Sequence, residues 1–153
     1  MTAVCPYSNI LRAVPVTDKR ATTVARVLYD HAFMELGFPA VFQSDQGGEW
    51  TNAVLKELTT LLSIEHVFTT SYRLRLYGFT ERVHRWLNSA LGIYGEKNQQ
   101  LWEDFLQPAT YAHNTYLIPR TDHVTRFFLM FGRNAPSPEI LSFDKPPAPL
   151  SQS

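Results

Sequence analysis

Three short apolar runs in the first half of the chain alternate with segments of helical periodicity. The runs are rich in β-branched and aromatic residues, which favours strands, and they cover residues 10–16 (ILRAVPV), 40–43 (AVFQ) and 64–72 (IEHVFTTSY). A helix is predicted between the first two runs, beginning at Thr17 or Asp18 and continuing to about Leu36. Gly37 then stands where glycine commonly ends a helix.

Further helices are predicted from polar capping residues and apolar faces. Thr51 or Asn52 is expected to begin a helix between the second and third runs. The strongest periodicity predicts a helix from about Thr80 to Tyr94, with the stripe Val83, Trp86, Leu87, Ala90, Leu91 and Tyr94 facing the core. Another is predicted over residues 99–113, with Trp102 inward, and residues 127–132 (FFLMFG) form a short apolar segment.

Strands that alternate with helices favour a layered α/β fold. We therefore expect one domain over residues 1–143, followed by a proline-rich tail over residues 144–153 that is disordered or a linker.

Composition restricts the classes of protein that fit. The chain has 153 residues, is 44% hydrophobic and 18% charged, and carries a formal net charge of zero, so it is expected to be globular and any nucleic-acid contact must come from local patches. Cys5 is the only cysteine, which excludes disulfide frameworks and cysteine-rich zinc modules. No apolar stretch approaches the roughly 20 residues needed to cross a bilayer. A nuclear or cytoplasmic location is the expectation.

Two acidic residues are the candidates for chemistry. Asp45, in the segment SDQGGEW, follows the second run, and Glu81 is expected in the first turn of the strongest helix, after 35 intervening residues. Carboxylates from two such elements can hold Mg²⁺, although phosphoryl transfer through two metal ions normally uses at least three. Each also has a plainer interpretation, Asp45 as a turn residue and Glu81 as a surface residue.

Five motifs in order resemble the catalytic core of retroviral and Ty3/gypsy-type retrotransposon integrases. They run from about Pro6 to Pro138 and include GFPAVFQSDQGGEW, TTSYRLRLYGFTERVHRWLNSAL, LWEDFLQPATYAHNTYL and RFFLMFGRNAPSP. The resemblance implies a ribonuclease-H-like fold with a five-stranded mixed sheet between helices, and a history of DNA integration. It implies that Asp45 and Glu81 are the second and third carboxylates of the metal-binding triad, with Mg²⁺ or Mn²⁺ as cofactor.

The resemblance also implies DNA contacts. Arg85 matches a position near DNA that often carries a basic residue. Residues 73–79 match the mobile loop beside the active site, and Arg73 and Arg75 within it could contact phosphates. Because apolar residues are interleaved with them, an exposed adhesive loop is an equal alternative.

The chain departs from the family at several positions. The strand that carries the first aspartate is expected to be missing, so the chain resembles an N-terminally truncated core, and Cys5 stands where the family commonly has the aspartate of Asp-x-Phe-Ser. Only Gly78 survives from the usual loop sequence, and Arg126 replaces the proline of Thr-Pro-Phe. We expect a degenerate active site that is catalytically inactive. The alternatives are an active integrase fragment completed by upstream sequence or in trans, and a protein-interaction module that forms a homodimer or accepts a partner strand at an open sheet edge.

Overall fold

The computed structural model describes residues 1–69, 74–95, 102–118, 121 and 124–136, with the backbone alone for residues 74–77, 79, 94 and 95. Arg73 and the proline-rich tail over residues 144–153 lie outside the described residues. No helix in the described part of the chain is both long enough and apolar enough to cross a membrane.

The chain opens with an antiparallel hairpin of β1 (Thr2–Val4) and β2 (Leu11–Ala13), in the register Thr2↔Ala13 and Val4↔Leu11. The turn places Asn9 in the left-handed region at φ 61°, which asparagine tolerates better than most residues. The predicted strand over residues 10–16 is therefore shorter than expected, and β1 is an additional strand.

The first helical segment begins later than predicted. It comprises α1 (Ala21–Leu28), a π-helical stretch over Tyr29–Phe33 and α2 (Met34–Leu36). Asp18 does not cap it, because its Oδ1 accepts a hydrogen bond from the Arg20 N–H and holds a turn just before the helix. Gly37, at φ 94°, ends the segment as expected.

Strand β3 (Val41–Ser44) pairs in parallel with β4 (Glu65–Phe68), and α3 (Ala53–Leu61) connects them. Asn52 is the N-cap of α3, since its side chain accepts from the Leu55 N–H at 2.9 Å.

The longest helix, α4 (Leu74–Gly95), begins six residues before the predicted start. Glu81 therefore lies in the third turn and the expectation of a first-turn position is wrong. Local propensity explains the difference, because the chain has leucine and arginine at positions 74–76, which favour helix.

Two further helices complete the described chain, α5 (Trp102–Thr115) and α6 (Arg126–Phe131). Trp86 and Trp102 are 39% and 41% exposed, so the predicted inward position of each is wrong. The apolar segment over residues 127–132 is helical, because the Thr125 hydroxyl caps it and Gly132 ends it in the left-handed conformation.

Two hydrophobic clusters lie on opposite sides of the strands. One joins the hairpin residues Leu11 and Ala13 to Val83 and Leu87 of α4 and to α5. The other is built from α1, the π-helical stretch and α3, and both Ala3 of β1 and Phe42 of β3 pack against it. The strands thus form a middle layer between two groups of helices, which is the α/β arrangement that the sequence predicts.

The outer edge of β2 is covered by side chains of α5. Asn114 accepts from the Leu11 N–H through Oδ1 and donates to the Leu11 carbonyl through Nδ2, both at 2.8 Å. Gln107 donates to the Ala13 carbonyl at 3.0 Å. These amides satisfy backbone groups that would otherwise be buried without partners.

The described strands form two separate two-stranded sheets rather than one mixed sheet. In the hairpin, Met1 and Val14 exchange hydrogen bonds, so the alternation of the antiparallel ladder turns the N–H and C=O groups of Thr2 and Val4 away from β2. In the parallel pair, the Ala40 and Ser44 carbonyls face β4, so those of Val41 and Gln43 face away from it. Both β1 and β3 therefore present an open edge within the described part of the chain.

Candidate metal and nucleic-acid site

Asp45 lies directly after β3, as the sequence predicts, and its side chain is exposed. Its Oδ1 accepts a hydrogen bond from the Gly47 N–H at 3.0 Å, which closes a turn two residues long. Within the described part of the chain, the second carboxylate oxygen has no recorded protein donor. Asp45 can therefore hold its own turn and still offer an oxygen to a ligand.

Glu49 folds back over the same turn. A Cβ atom placed on Gly47 would lie 2.7 Å from Glu49 Oε2 and 3.1 Å from Asp45 Oδ1. Two carboxylate oxygens thus converge on the space that glycine leaves open, and a larger residue would displace at least the Glu49 side chain. The sequence predicts Glu49 as a solvated acid at the start of a helix, and its spacing of four residues from Asp45 is the signal that could have placed it at this turn.

Glu81 and Arg85 are one turn apart on an exposed face of α4. Together with His84, Asn88 and Ser89 they line a shallow surface depression. His84 also reaches the hairpin, because its Nε2 lies 2.6 Å from the Thr2 hydroxyl. This face combines the acidic Glu81 and the basic Arg85 with three further hydrogen-bonding side chains.

The other two predicted DNA contacts are less defined. Arg75 lies within α4, where only the backbone is described, and Arg73 lies outside the described residues. Of the three arginines predicted to contact DNA, Arg85 is therefore the one whose side chain the structure describes, and it is exposed.

Mg²⁺ prefers oxygen ligands and is commonly held by one or two carboxylates, with waters and substrate phosphates completing its shell. Asp45, with Glu49 beside it, has that donor chemistry at the end of β3, and Glu81 is exposed on α4. Among the described residues, however, no group of three or more histidine, cysteine, aspartate or glutamate side chains is placed to hold a metal ion. The described donors therefore have the chemistry that Mg²⁺ prefers but do not form a complete set of ligands.

Two other titratable groups have pKa values shifted by their surroundings. The first is Cys5, which is half-buried. Burial alone would raise the pKa of its thiol, but hydrogen bonds from the Ser8 side chain and from the Ser8 and Tyr7 backbone lower that pKa below its usual value overall.

His113 is buried in α5 and contacts Trp86 with ring centroids 4.7 Å apart and the ring planes tilted by 54°. Burial, assisted by the nearby charge of Arg126, lowers the pKa of His113 to about 4, so the imidazole is neutral at physiological pH. It packs between helices and takes no part in the polar face of α4.

No protein-family model matches the chain. A sequence relative is the retrovirus-related Pol polyprotein from transposon 412 of Drosophila melanogaster, 28% identical over 139 residues. The alignment covers 91% of this chain and 11% of the polyprotein, so the chain spans a small part of that relative's length.

Solved structures with the same arrangement of elements come from retroviral integrases. The catalytic core domain of BIV integrase matches with a TM-score of 0.69 and 21% identity, covering 86% of this chain and 84% of that one. The chain has the fold of a retroviral integrase catalytic core. It is also a homologue of a retrovirus-related Pol polyprotein, which confirms the resemblance found in its motifs.

Two further integrase structures show the same likeness. The HTLV-2 integrase catalytic core in complex with magnesium, in its trimeric form, gives a TM-score of 0.67 at 19% identity, covering 83% of this chain and 80% of that chain. The simian T-cell lymphotropic virus intasome in complex with the PP2A regulatory subunit B56 gamma gives 0.74 at 21% identity, covering 99% of this chain and 52% of that chain. At these identities the similarity establishes the fold of this chain and does not establish its activity.

Proposed function

We propose that this chain is a retroelement-derived, integrase-core-like protein that binds nucleic acid through the polar face of α4 and does not catalyse strand transfer by itself. The observation that carries the proposal is the placement of Glu81, His84, Arg85 and Asn88 along one exposed face of a helix in an integrase fold. Net charge is zero, so the contact is local and not a general basic surface.

Arg85 is proposed to contact a phosphate. Arg73, which precedes α4 in the sequence, and Arg75, in the first turn of α4, are further candidates. Arginine suits this role because its planar guanidinium can form two parallel hydrogen bonds to phosphate oxygens. Contacts of this kind position a nucleic acid without reading its sequence.

Asp45 and Glu81 are proposed to hold Mg²⁺ or Mn²⁺. Such an ion, when bound, neutralises phosphate charge and orients it. The exposed Asp45 carboxylate and the exposed Glu81 carboxylate support the proposal, as does the related HTLV-2 core, which was solved with magnesium.

The lack of strand transfer is proposed from the region before Glu81. In the family this region is a flexible loop, whereas here the backbone is helical from Leu74 onwards. A helix that continues through residues 74–79 removes the freedom with which a loop could close over a substrate. The competing proposal, an active integrase completed by upstream sequence or in trans, requires these residues to unwind.

Mobility shift of a short DNA duplex across a salt series tests the binding proposal. We expect weak binding that decreases as salt rises, and a further loss on Arg85→Ala together with a smaller salt slope, because one phosphate contact is removed. Arg20→Ala is the matched control, since Arg20 is 82% exposed and lies before α1. Equal loss in both variants, or binding that does not depend on salt, would contradict the proposal.

A second candidate function is a protein-interaction module. The open edges of β1 and β3 favour it, because unpaired N–H and C=O groups are a template for a further strand. Related HTLV-2 cores were solved in dimeric and trimeric forms, which makes a homodimer a reasonable partner. Amide hydrogen exchange with light scattering tests it: a partner strand should newly protect the amides of Thr2, Val4, Val41 and Gln43. A monomer in which these amides exchange freely at all concentrations would count against it.

A further inference from the structure

The carbonyl group of Asp45 is held by a short chain of hydrogen bonds that begins on the neighbouring strand. The Ser44 hydroxyl donates to the Asp45 carbonyl at 2.8 Å, and His66 Nε2 lies 2.9 Å from the same hydroxyl oxygen. A serine hydroxyl has one hydrogen to donate and two lone pairs to accept. Once that hydrogen is given to Asp45, the contact with His66 requires that Nε2 carries the proton and donates.

Of the two side chains in this hydrogen-bonded series, Ser44 is buried and His66 is half-buried. Ser44 is 8% exposed, and the His66 ring lies against Phe42 and Phe68 with centroid distances of 4.9 Å and 4.4 Å. Burial lowers the pKa of His66, so the ring is neutral near pH 7. The contacts with Phe42, its partner across the strands, and with Phe68, two residues along β4, restrict the plane of the ring and therefore the direction in which Nε2 points.

The peptide before Asp45 is held from the same strand. The Ser44 carbonyl accepts hydrogen bonds from the Thr69 N–H at 2.8 Å and from the Thr69 hydroxyl at 3.0 Å. The Ser44 carbonyl is thus held by Thr69, and the Asp45 carbonyl is held by the Ser44 hydroxyl that contacts His66. The Asp45 side chain is held by Gly47. The free carboxylate oxygen consequently has a defined direction before any ligand binds.

We propose that Ser44 and His66 are positioning residues that orient the Asp45 carboxylate for a divalent cation, with His66 in the Nε2–H tautomer. The inference rests on the proposed metal-binding role of Asp45. Partners one step removed from a metal ligand typically change affinity by about 10- to 100-fold when they are lost. Neither residue touches the cation itself.

The first test is spectroscopic and needs no metal. In ¹⁵N-labelled protein, we expect His66 to show a protonated Nε2 and an unprotonated Nδ1. Ser44→Ala should shift the ¹³C resonance of the Asp45 carbonyl, because the hydrogen bond to it is lost. An Nδ1–H tautomer, or an unchanged carbonyl resonance in Ser44→Ala, would overturn the proposal.

In the second test, the whole chain is titrated with Mn²⁺ alone and the dissociation constant is measured by calorimetry. We expect Ser44→Ala and His66→Phe each to weaken binding by about tenfold, and the double variant to weaken it no further. His66→Gln should restore affinity to within about twofold of the unaltered chain, because its amide N–H can replace the imidazole donor. A merely structural role for His66 would not be rescued in this way, and circular dichroism checks that each variant is folded.

The two tests separate the possible failures. If the unaltered chain binds no Mn²⁺, the metal-binding part of the proposed function is wrong and the predicted effect on affinity falls with it, whereas the spectroscopic result still decides whether the chain of hydrogen bonds exists. If Mn²⁺ binds but Ser44→Ala and His66→Phe bind it as tightly as the unaltered chain, the proposed function survives and the positioning role is overturned.

Discussion

The hairpin β1–β2 and the parallel pair β3–β4 each use an Asn or Asp oxygen to accept a backbone hydrogen bond. At the hairpin, Asn114 is 7% exposed and both ends of its amide bind Leu11. After β3, Asp45 is exposed and one of its oxygens binds Gly47. The first arrangement contributes to stability because no water can replace it, and the second leaves an oxygen available to a ligand.

Asn114→Ala should lower the free energy of unfolding more than any other proposed substitution, which would establish that the Asn114 amide stabilises the hairpin. The substitution leaves the buried N–H and C=O groups of Leu11 without partners, and each such group costs about 1–3 kcal/mol. We expect the free energy of unfolding in urea to fall by about 2–5 kcal/mol.

Asn88→Ala is the control for that measurement, because Asn88 is exposed on α4. It should change the free energy of unfolding by less than about 0.5 kcal/mol. Similar losses in the two variants would mean that the α5 amide does not hold the hairpin edge.

The free energy of unfolding should also depend on pH, because His113 is buried. Its folded pKa of about 4 lies below its unfolded value of 6.5, so the unfolded chain binds more protons between these values. Stability from the neutral imidazole is therefore fully present above about pH 6.5 and is lost as pH falls towards 4, by roughly 2–3 kcal/mol after allowance for solvent screening. Urea unfolding of the chain and of His113→Gln at pH 7 and pH 4.5 checks it, since the glutamine variant should lose that part of the pH dependence.

A smaller effect is expected at the cap of α3, close to the Asp45 turn. Asn52→Ala removes the side-chain acceptor of the Leu55 N–H, which should lower the free energy of unfolding by about 1 kcal/mol. Asn52→Asp keeps an acceptor and should retain most of that stability. A loss in the aspartate variant equal to that in the alanine variant would show that the cap contributes little.

Asp45→Asn should have the smallest effect on folding and a large effect on binding. Asparagine keeps an oxygen for the Gly47 N–H, so we expect a change in unfolding free energy below about 0.5 kcal/mol. Loss of the carboxylate charge should abolish Mn²⁺ binding measured by calorimetry. A marked loss of stability would place Asp45 with Asn114 as a structural residue and would end the contrast between the two regions.

Local signals in the sequence were sufficient for several features. Gly37 ends the first helical segment, Asn52 caps α3 and Asp45 follows a strand, because each depends on a few neighbouring residues. The motif order also predicted the integrase fold, which the structural comparisons confirm.

Contacts between distant residues could not be predicted in the same way. Strand β1 has three residues and is defined by its pairing with β2, and Asn114 meets Leu11 across 103 positions. His66 lies 22 residues from Ser44, and no spacing rule connects them. The start of α4 at Leu74 was missed for a different reason, because the family's loop was expected where local helix propensity prevails.

A DNA nicking and strand-transfer assay with Mn²⁺ decides whether the chain is catalytically inactive. We predict that the chain binds DNA but forms no more product than its Glu81→Gln variant, even at concentrations that saturate binding. Product that requires Mn²⁺ and disappears in Glu81→Gln would show instead that the chain is an active enzyme.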